Sequence, residues 1–384
     1  MATFCSVFQQ ILKLFPRAEF AQLVREHRTE RHARGFSSWQ QFVSMLFCHL
    51  GRAQSLREIC DGLRSIDGKL QHLGIDSPKR STLAYANEHR PWTLFEAIFH
   101  RLLAGIRADV LPKHRFRFKN PLVSLDSTII ELCMEVFEWA RYKQQKGAIK
   151  LHMMLDHAGH LPMFCDLTDG KVHDIQVARR LRLPPGTIMV FDRGYVDYEW
   201  FRQLTQRGIW FVTRLRRNIN FVILENRPVS GAILTDQIIQ LHKHRTYGFR
   251  PLQLRRVIAV IDEDGTTMEF FTNNERLAAR TIAAIYKQRW QIETFFKAIK
   301  QNLRIKTFVG TSANAVAIQV WTALIAILIL KYLQMKARRG WSLSHLVALL
   351  RLHLFTYRDL WSWLNDPFSP SVEESPPQLE LQFG

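Results

Sequence analysis

The chain has 384 residues, enough for two or three domains, and 47% of them are hydrophobic, which excludes a disordered tail protein. Its 53 Lys and Arg residues against 34 Asp and Glu give a net charge of +19. This charge favours a polyanionic partner such as a nucleic acid, although a ribosome-associated or membrane-surface protein would also be basic. The five cysteines lie far apart without a C-x-x-C pair, so we expect neither a disulfide framework nor a thiolate zinc site.

Residues 4–105 have the apolar spacing of helices and predict an all-α N-terminal domain over residues 1–112. The segments SLREICDGLRS, with Ser55 as cap, and STLAYANEHR predict two short helices around the turn GIDSPKR. This arrangement is typical of a helix-turn-helix, but also of any small helical bundle. If it binds DNA, the reading face is expected at Arg80, Ser81, Thr82, Asn87 and Arg90.

The pattern changes at residue 121, after the basic segment KHRFRFKN. LVSLDSTII, AIKLHMMLD and HLPMFCDL predict three strands, followed by a helix over residues 174–183, the strand TIMVFDRGY, a helix over 198–207 and the strand IWFVTRL. An antiparallel meander followed by strands that alternate with helices is the ribonuclease-H-like α/β plan.

Residues 216–274 predict a β-rich insertion, with FVIL, RRVIAVI and TMEFFTNN as strands, before a helix that carries Glu293. The α/β domain is therefore expected over residues 121–366, with a core of 121–215 and 275–335 and C-terminal helices over 336–366. Residues 367–384, rich in Pro and Glu, predict a flexible tail.

One apolar segment, residues 315–333, is about as long as a membrane span. Gln319 and Thr322 interrupt it and Lys331 lies near its end, so a buried core helix is favoured over a membrane anchor. The N-terminal segment is amphipathic and lacks a small-residue cleavage site, which favours a cytoplasmic protein without a membrane partner.

Two aspartates lie in or directly after apolar strands, where a buried negative charge is unfavourable unless a positive charge neutralises it. Asp126 lies inside the apolar strand SLDST, and Asp192 follows the apolar run TIMVF, where a parallel strand ends. Each also has an ordinary explanation, since Asp126 could cap a turn and Asp192 could pair with Arg193. A cleft that binds a cation would explain both.

A third carboxylate, Glu293, lies in IYKQRWQIETFFKAIKQNL. Tyr286, Arg289, Glu293 and Lys300 are spaced by three, four and seven, so they are expected to share one helix face. A basic amphipathic helix with a routine Arg289–Glu293 pair would have the same spacing.

The row Y-x-x-R-x-x-x-E-x-x-x-x-x-x-K, with the aspartates of SLDST and FDRGY upstream, resembles the Y-R-E-K signature of the insertion-sequence-four (IS-four) family of DDE transposases. The segment from Arg34 through SLREI to RSTL resembles the helical domain that accompanies one subgroup. The resemblance implies that Asp126, Asp192 and Glu293 are catalytic and hold two Mg²⁺ ions, for which Mn²⁺ can substitute.

Further roles follow from the same resemblance. Tyr286, Arg289 and Lys300 would contact the phosphates of the transposon end, and Trp290 could stack on a flipped base, although most helix tryptophans belong to a core. The enzyme would bind terminal inverted repeats, act as a homodimer in the synaptic complex and join the element to target DNA, with a hairpin intermediate as one route.

Several other basic and polar residues have candidate roles. Asp174 is expected as a helix N-cap, with metal or DNA contact by His173 and Asp174 as the alternative. Lys150 and His152 would face either the cleft or solvent. In the insertion, the candidate DNA contacts are Arg216, Arg217, Arg255 and Arg256.

Two other functions fit the same residues. One is a ribonuclease-H-like metal nuclease that cuts without joining strands. The other is a non-catalytic, transposase-derived regulator that only binds DNA. Strand joining and loss of activity on removal of the carboxylates distinguish these functions from a transposase.

Overall fold

The computed structural model describes residues 5–31, 33, 35–66, 68, 70–109, 116–132, 137, 139, 141–143, 146–215, 219–241, 252–302 and 308–369. The chain divides into two compact units, one of Met1–Leu102 with Asn302–Gly384 and one of Leu103–Gln301. Residues 302–366 were expected with the sheet from the sequence, but they group with the N-terminal helices. Most of the expected flexible tail lies outside the described residues.

Helices form both ends of the described chain, and strands dominate its middle. In chain order the elements are α1 (Val7–Leu12), α2 (Arg17–Glu26), α3 (Ser38–Leu50), α4 (Leu56–Arg64), α5 (Arg80–His89), α6 (Thr93–Asp109), β1 (Leu122–Leu132), β2 (Arg141–Lys143), β3 (Lys146–Asp156), β4 (Leu161–Asp169), α7 (Asp174–Ala178), β5 (Ile188–Phe191), α8 (Tyr198–Gln206), β6 (Trp210–Thr213), β7 (Phe221–Asn226), β8 (Ile233–Leu241), β9 (Leu252–Val260), β10 (Thr267–Thr272), α9 (Ala279–Lys287), α10 (Trp290–Asn302), α11 (Ala313–Lys336), α12 (Leu343–His353) and α13 (Leu360–Asn365).

The first unit is helical and is built around α11. Among the described residues, α11 is the one helix long and apolar enough to cross a membrane, yet 83% of its most apolar window is buried. It packs against α3, α5 and α12 of the same unit. Its Thr322 hydroxyl also lies 3.1 Å from Nε2 of the buried His49 on α3. The expectation of a buried core helix is thus confirmed.

The two helices proposed as a helix-turn-helix are present, but a tight turn does not join them. Ser55 caps α4 as predicted, since its hydroxyl accepts a hydrogen bond from the Glu58 N–H. The connection to α5 runs from Ser65 to Lys79 and includes a short 3₁₀ turn at Gln71–Leu73. It is longer than the three- or four-residue turn of that motif.

The second unit contains a ten-stranded sheet. β1, β3 and β4 form an antiparallel meander, while β5 lies parallel to both β1 and β6. The resulting order β4-β3-β1-β5-β6 is that of the ribonuclease-H-like fold, which the sequence predicted. α8 connects the parallel strands β5 and β6, as parallel pairing requires.

The β-rich insertion continues the same sheet. β10 pairs antiparallel with β6, and β9, β8 and β7 follow in that order. β8 was not predicted, because Thr235, Asp236 and Gln237 interrupt its apolar pattern. The insertion precedes α10, the helix that carries Glu293, as expected.

Both faces of the central strands are buried, as is usual for parallel strands. On β5, Met189 and Phe191 pack in the core shared with α7 and α8, whereas Ile188 and Val190 pack in the core shared with α9. Because neighbouring residues of a strand point to opposite faces, the carboxyl ends of these strands can present side chains on either side of the sheet.

A buried ion pair stabilises the insertion. Two guanidinium nitrogens of Arg255 on β9 donate to Asp236 on β8, with distances of 2.7 and 2.6 Å. A third donates to the Leu277 carbonyl at 2.6 Å. The side chains are only 4% and 5% exposed, so Arg255 is not the DNA contact that the sequence suggested. Arg256 pairs with Glu269 instead.

This ion pair predicts the effect of removing one partner. Asp236→Ala leaves a buried guanidinium without its carboxylate, which should lower the opening free energy of the β8 and β9 amides by about 3–5 kcal/mol in hydrogen exchange. The double substitution Asp236→Leu with Arg255→Met removes both charges and should cost less. A double variant that loses as much as Asp236→Ala would contradict this account.

Candidate active site

Asp126 lies in the middle of the sheet, on β1 between β3 and β5. Its Oδ1 accepts a hydrogen bond from the Ser127 N–H at 2.8 Å. Burial raises the pKa of Asp126 to about 7, the Ser127 N–H opposes this rise, and the neighbouring charges of Asp192 and Glu293 add to it. A group in such surroundings is stabilised as a carboxylate by a nearby cation.

Asp192 follows β5 directly, at the carboxyl end of a parallel strand, as predicted. Its Oδ1 accepts a hydrogen bond of 2.8 Å from the Gly194 N–H and so begins the 3₁₀ turn Arg193–Tyr195. A Cβ atom at position 194 would lie 2.9 Å from this oxygen. Because Gly194 has no Cβ atom, the Asp192 carboxylate can occupy this position. Nothing in the sequence alone indicated this role of Gly194.

The segment with the Y-R-E-K row is two helices and not one. α9 ends at Lys287 and α10 begins at Trp290. At the junction, the N–H groups of Gln288, Arg289 and Gln291 each bond to the carbonyl three residues earlier. The predicted single helix is therefore interrupted by this tighter winding, with Tyr286 on α9 and Glu293 on α10.

Arg289, at this junction, connects two of the carboxylates. Its Nη1 lies 3.2 Å from Oδ2 of Asp126 and its Nη2 lies 2.6 Å from Oε1 of Glu293. The side chains of Arg289 and Asp126 are nearly buried, and that of Glu293 is 42% exposed. The expected Arg289–Glu293 pair is thus present, but as part of a bridge to Asp126.

The bridge bears on whether these residues suit a metal. Within the described ranges, no group of three His, Cys, Asp or Glu side chains already surrounds one metal position. The Arg289 guanidinium instead provides the positive charge between Asp126 and Glu293. The donors are carboxylate oxygens, the ligands that Mg²⁺ and Mn²⁺ prefer, so the chemistry of the residues fits such ions.

The other predicted DNA-contacting residues of this segment differ in exposure. Tyr286 is buried against Phe270, and the Arg289 guanidinium lies 5.7 Å from the centre of its ring. Trp290 is 63% exposed, so it is not the core residue that most helix tryptophans are. Lys300 lies on α10, seven residues after Glu293, and is half-buried.

Asp174 is the first residue of α7 and not its cap, in contrast to the sequence-based expectation. Its Oδ1 accepts a hydrogen bond of 2.8 Å from the Ser127 hydroxyl. The same oxygen lies 3.3 Å from Nζ of Lys150 and 3.5 Å from Nδ1 of His152. Lys150 and His152 are largely buried here, so neither is the solvent-exposed side chain that one interpretation predicted.

Two residues of the proposed reading face have structural roles in the first unit. Asn87 is 1% exposed and accepts a hydrogen bond of 2.8 Å from the Gln41 amide. The Arg90 guanidinium donates to the Phe36 carbonyl and to Gln41. The prediction that Asn87 reads DNA is therefore wrong, because its side chain is used inside the bundle, and Arg90 is held there too.

The remaining members of that face are accessible. Arg80 and Ser81 are exposed at the start of α5, and Thr82 is half-buried. One turn further, Tyr85 is exposed and stacks on His89 at 4.0 Å between ring centres. Arg216 and Arg217, predicted as contacts in the insertion, lie outside the described residues.

Residues 117–329, which include all three carboxylates, match a family model described as "Transposase DDE domain". The chain belongs to the DDE transposase family. The matched residues cover more than half of it, and residues 4–76 match a second model, described as "Domain of unknown function (DUF4372)". The resemblance predicted from the Y-R-E-K row is thereby confirmed.

Named relatives agree with this family. "Putative transposase y4zB" of Sinorhizobium fredii is 32% identical over 291 residues, which cover 74% of this chain and 80% of the relative. "Probable transposase for insertion sequence element IS5377" of Geobacillus stearothermophilus is 32% identical over 255 residues, or 64% and 67% of the two chains. A solved structure, "Cryo-EM structure of piggyBac transposase synaptic complex with hairpin DNA (SNHP)", has a TM-score of 0.47 at 11% identity and covers 95% of this chain and 82% of that one.

Family membership establishes the class of chemistry. A DDE transposase is an enzyme that binds DNA, cleaves it and transfers its strands, and it depends on divalent metal ions. The predicted enzyme class is therefore confirmed.

The buried His152 of this transposase predicts a pH effect on stability. Burial lowers its pKa to about 4, although Asp174 opposes the shift, while Lys150 and Arg180 add to it. As pH falls from about 6.5 towards 4, the unfolded chain takes up a proton that the folded chain does not, so folding loses stability in this window. His152→Gln should reduce the fall in thermal midpoint between pH 7 and pH 5.

His173→Gln is the matched control. His173 lies two residues after Lys171, its side chain is exposed, and it is not among the buried side chains around His152. It should leave the pH dependence of the thermal midpoint as in the wild type. If His152→Gln and the wild type lost the same number of degrees between pH 7 and pH 5, the account of His152 would be wrong.

Proposed function

We propose that this protein is a cut-and-paste DNA transposase that binds terminal inverted repeats, cleaves the element free and joins it to target DNA. One observation carries the proposal: Asp126 and Glu293 meet at a single guanidinium, while Asp192 is near enough to raise the pKa of Asp126. We infer that the three carboxylates, from β1, the end of β5 and α10, form one cluster. Because such a cluster of like charges destabilises a fold unless a cation compensates it, the convergence points to a functional site.

The three carboxylates are the proposed metal ligands. Asp126, Asp192 and Glu293 would hold two Mg²⁺ ions, with Mn²⁺ able to substitute, because all their donor atoms are oxygens. When bound, such ions supply activation of water or of a DNA 3′-hydroxyl and stabilise charge on the leaving 3′-oxygen. The protein itself then needs no side-chain nucleophile.

Arg289 has two proposed tasks. In the structure it neutralises Asp126 and Glu293, which would otherwise repel each other in a partly buried site. A guanidinium can also bind a phosphate through two parallel hydrogen bonds, so Arg289 is our first candidate for the phosphate at the cleavage point. The buried Tyr286 ring beneath it would orient Arg289, and Lys300 would bind a phosphate further along α10.

Trp290 is the proposed base contact. It follows Arg289 directly, begins α10 and exposes 63% of its surface. An exposed indole beside a phosphate-binding arginine suits stacking on an unpaired or flipped base, which a hairpin route would produce. On α5, the exposed Arg80 and Ser81 remain candidates for contact with the terminal repeat.

The chain's organisation and assembly complete the proposal. We assign catalysis to the α/β domain that begins at residue 121 and recognition of DNA ends to the helical domain of residues 1–112. Two element ends must be held together for coordinated cleavage, so we propose a homodimer in the synaptic complex. Its place of action would be the DNA of a bacterial cytoplasm.

The test uses duplex oligonucleotides that carry the inverted repeats flanking the gene. With Mg²⁺, the full-length protein should cleave them and should join pre-cleaved ends to a target plasmid. Asp126→Asn, Asp192→Asn and Glu293→Gln should each lower both rates by at least about a thousandfold, because each removes a charge that the transition state needs.

Glu263→Gln is the control for these variants, since Glu263 is an exposed carboxylate in the turn between β9 and β10. It should cleave and join at the wild-type rate. Cleavage without joined products would identify a nuclease. Full activity in any of the three active-site variants would refute the assignment of that residue.

A further inference from the structure

A continuous path of hydrogen bonds leads from Asp174 to Asp126 through one residue. The Ser127 hydroxyl donates to Oδ1 of Asp174 at 2.8 Å, and the Ser127 backbone N–H donates to Oδ1 of Asp126 at 2.8 Å. Asp126 and Ser127 are neighbours on β1, so their side chains point to opposite faces of the sheet. Ser127 therefore connects the two faces at the candidate active site.

The far end of this path is firmly held. On β3, His152 stands opposite Ser127 in the strand register, and Lys150 lies two residues away on the same face. Lys150 Nζ pairs with Oδ1 of Asp174 at 3.3 Å, and Nδ1 of His152 lies 3.5 Å from the same oxygen. Each is also fixed on its other side, because Lys150 donates to the Val172 carbonyl and His152 lies 2.9 Å from the Thr168 hydroxyl.

At the near end of the path, the two oxygens of Asp126 have different partners. Ser127 holds Oδ1, while Oδ2 faces Arg289. The carboxylate thus has a fixed orientation, with one oxygen directed towards the side where Glu293 lies. A carboxylate that is free to rotate would bind a cation more weakly, since ordering it costs conformational entropy.

We propose that Asp174 is a positioning residue for Asp126 and that it acts through Ser127. Asp174 fixes the Ser127 hydroxyl and Ser127 fixes Oδ1 of Asp126. The other oxygen, Oδ2, which pairs with the Arg289 guanidinium in the structure, is thereby oriented for a divalent cation that would take the place of Arg289. This inference rests on the proposed function, because it assumes that Asp126 is a metal ligand. Asp174 itself does not touch the metal or DNA.

A purely structural role for Asp174 is the alternative, since it also ties α7 to β1 and β3. Asp197 provides the comparison. It accepts a 2.7 Å hydrogen bond from the Trp200 N–H as the cap of α8, and another of 2.7 Å from Arg179. Asp197→Ala removes a helix cap and an ion pair without removing a contact to Ser127.

The experiment measures Mn²⁺ binding to the full-length protein without DNA, by titration calorimetry. Ser127→Ala and Asp174→Ala should each raise the Mn²⁺ dissociation constant at the Asp126 site by about tenfold or more, as is typical when a residue that orients a metal ligand is lost. The double variant should have a Mn²⁺ dissociation constant no higher than that of the more weakly binding single variant, because both substitutions interrupt the same path of hydrogen bonds. Asp197→Ala should bind Mn²⁺ like the wild type.

Ser127→Ala keeps the proposal testable even if Asp174→Ala misfolds, because it removes only a hydroxyl. Thermal midpoints identify any variant that does not fold. Asp126→Asn separates two kinds of failure. If Asp126→Asn weakens Mn²⁺ binding but Ser127→Ala does not, or if the single losses add in the double variant, Asp174 does not act through Ser127. If Asp126→Asn leaves Mn²⁺ binding unchanged, the proposed metal site is wrong, and this inference with it.

Discussion

The mutual repulsion of carboxylates is the constraint on which this active site depends. Asp126 is nearly buried, and the charges of Asp192 and Glu293 make its ionised form still less favourable. Arg289 relieves the repulsion by bonding to Asp126 and Glu293 together. A fold that brings these groups together must therefore also supply a cation, either from its own side chains or from solution.

Much of the second unit serves to bring that arginine and those carboxylates to one place. The apolar face of α9 packs on the sheet through Ile282 and Ile285, which fixes the end of the helix. The tight winding follows Lys287, and in it Arg289 reaches Asp126 on β1 while Glu293 follows on α10. On the opposite face, α7 holds Ser127 through Asp174. β1 is thus contacted on both faces at the candidate active site, where Arg289 bonds to the carboxylate beside Ser127 and Asp174 bonds to the Ser127 hydroxyl.

The sequence predicted the central strands well, because uninterrupted apolar runs such as IMVF are typical of buried strands and the helices between them have clear boundaries. It also predicted Asp192 at a strand end. It did not predict the break between α9 and α10, since neither Pro nor Gly marks it. β8 was missed for a related reason: Asp236 looks like a turn residue until its distant partner Arg255 is known.

Other misses depend on contacts between residues far apart in the chain. Asn87 and Arg90 are residue types that are common on a DNA-reading helix. Inside the bundle, however, Asn87 accepts a hydrogen bond from Gln41 and Arg90 donates one to the Phe36 carbonyl. α11 is apolar on all sides, so its sequence indicates burial but not which unit buries it. Asp174 shows the converse, because its neighbours in sequence suggest a cap, whereas its partners come from β1 and β3.

The most direct test of the central claim is a crystal structure of the full chain with Mn²⁺, in which anomalous diffraction locates the ion. We predict Mn²⁺ bound by the carboxylates of Asp126, Asp192 and Glu293, with the Arg289 guanidinium displaced from Asp126. Mn²⁺ bound only elsewhere, with Arg289 still bridging Asp126 and Glu293, would contradict the claim.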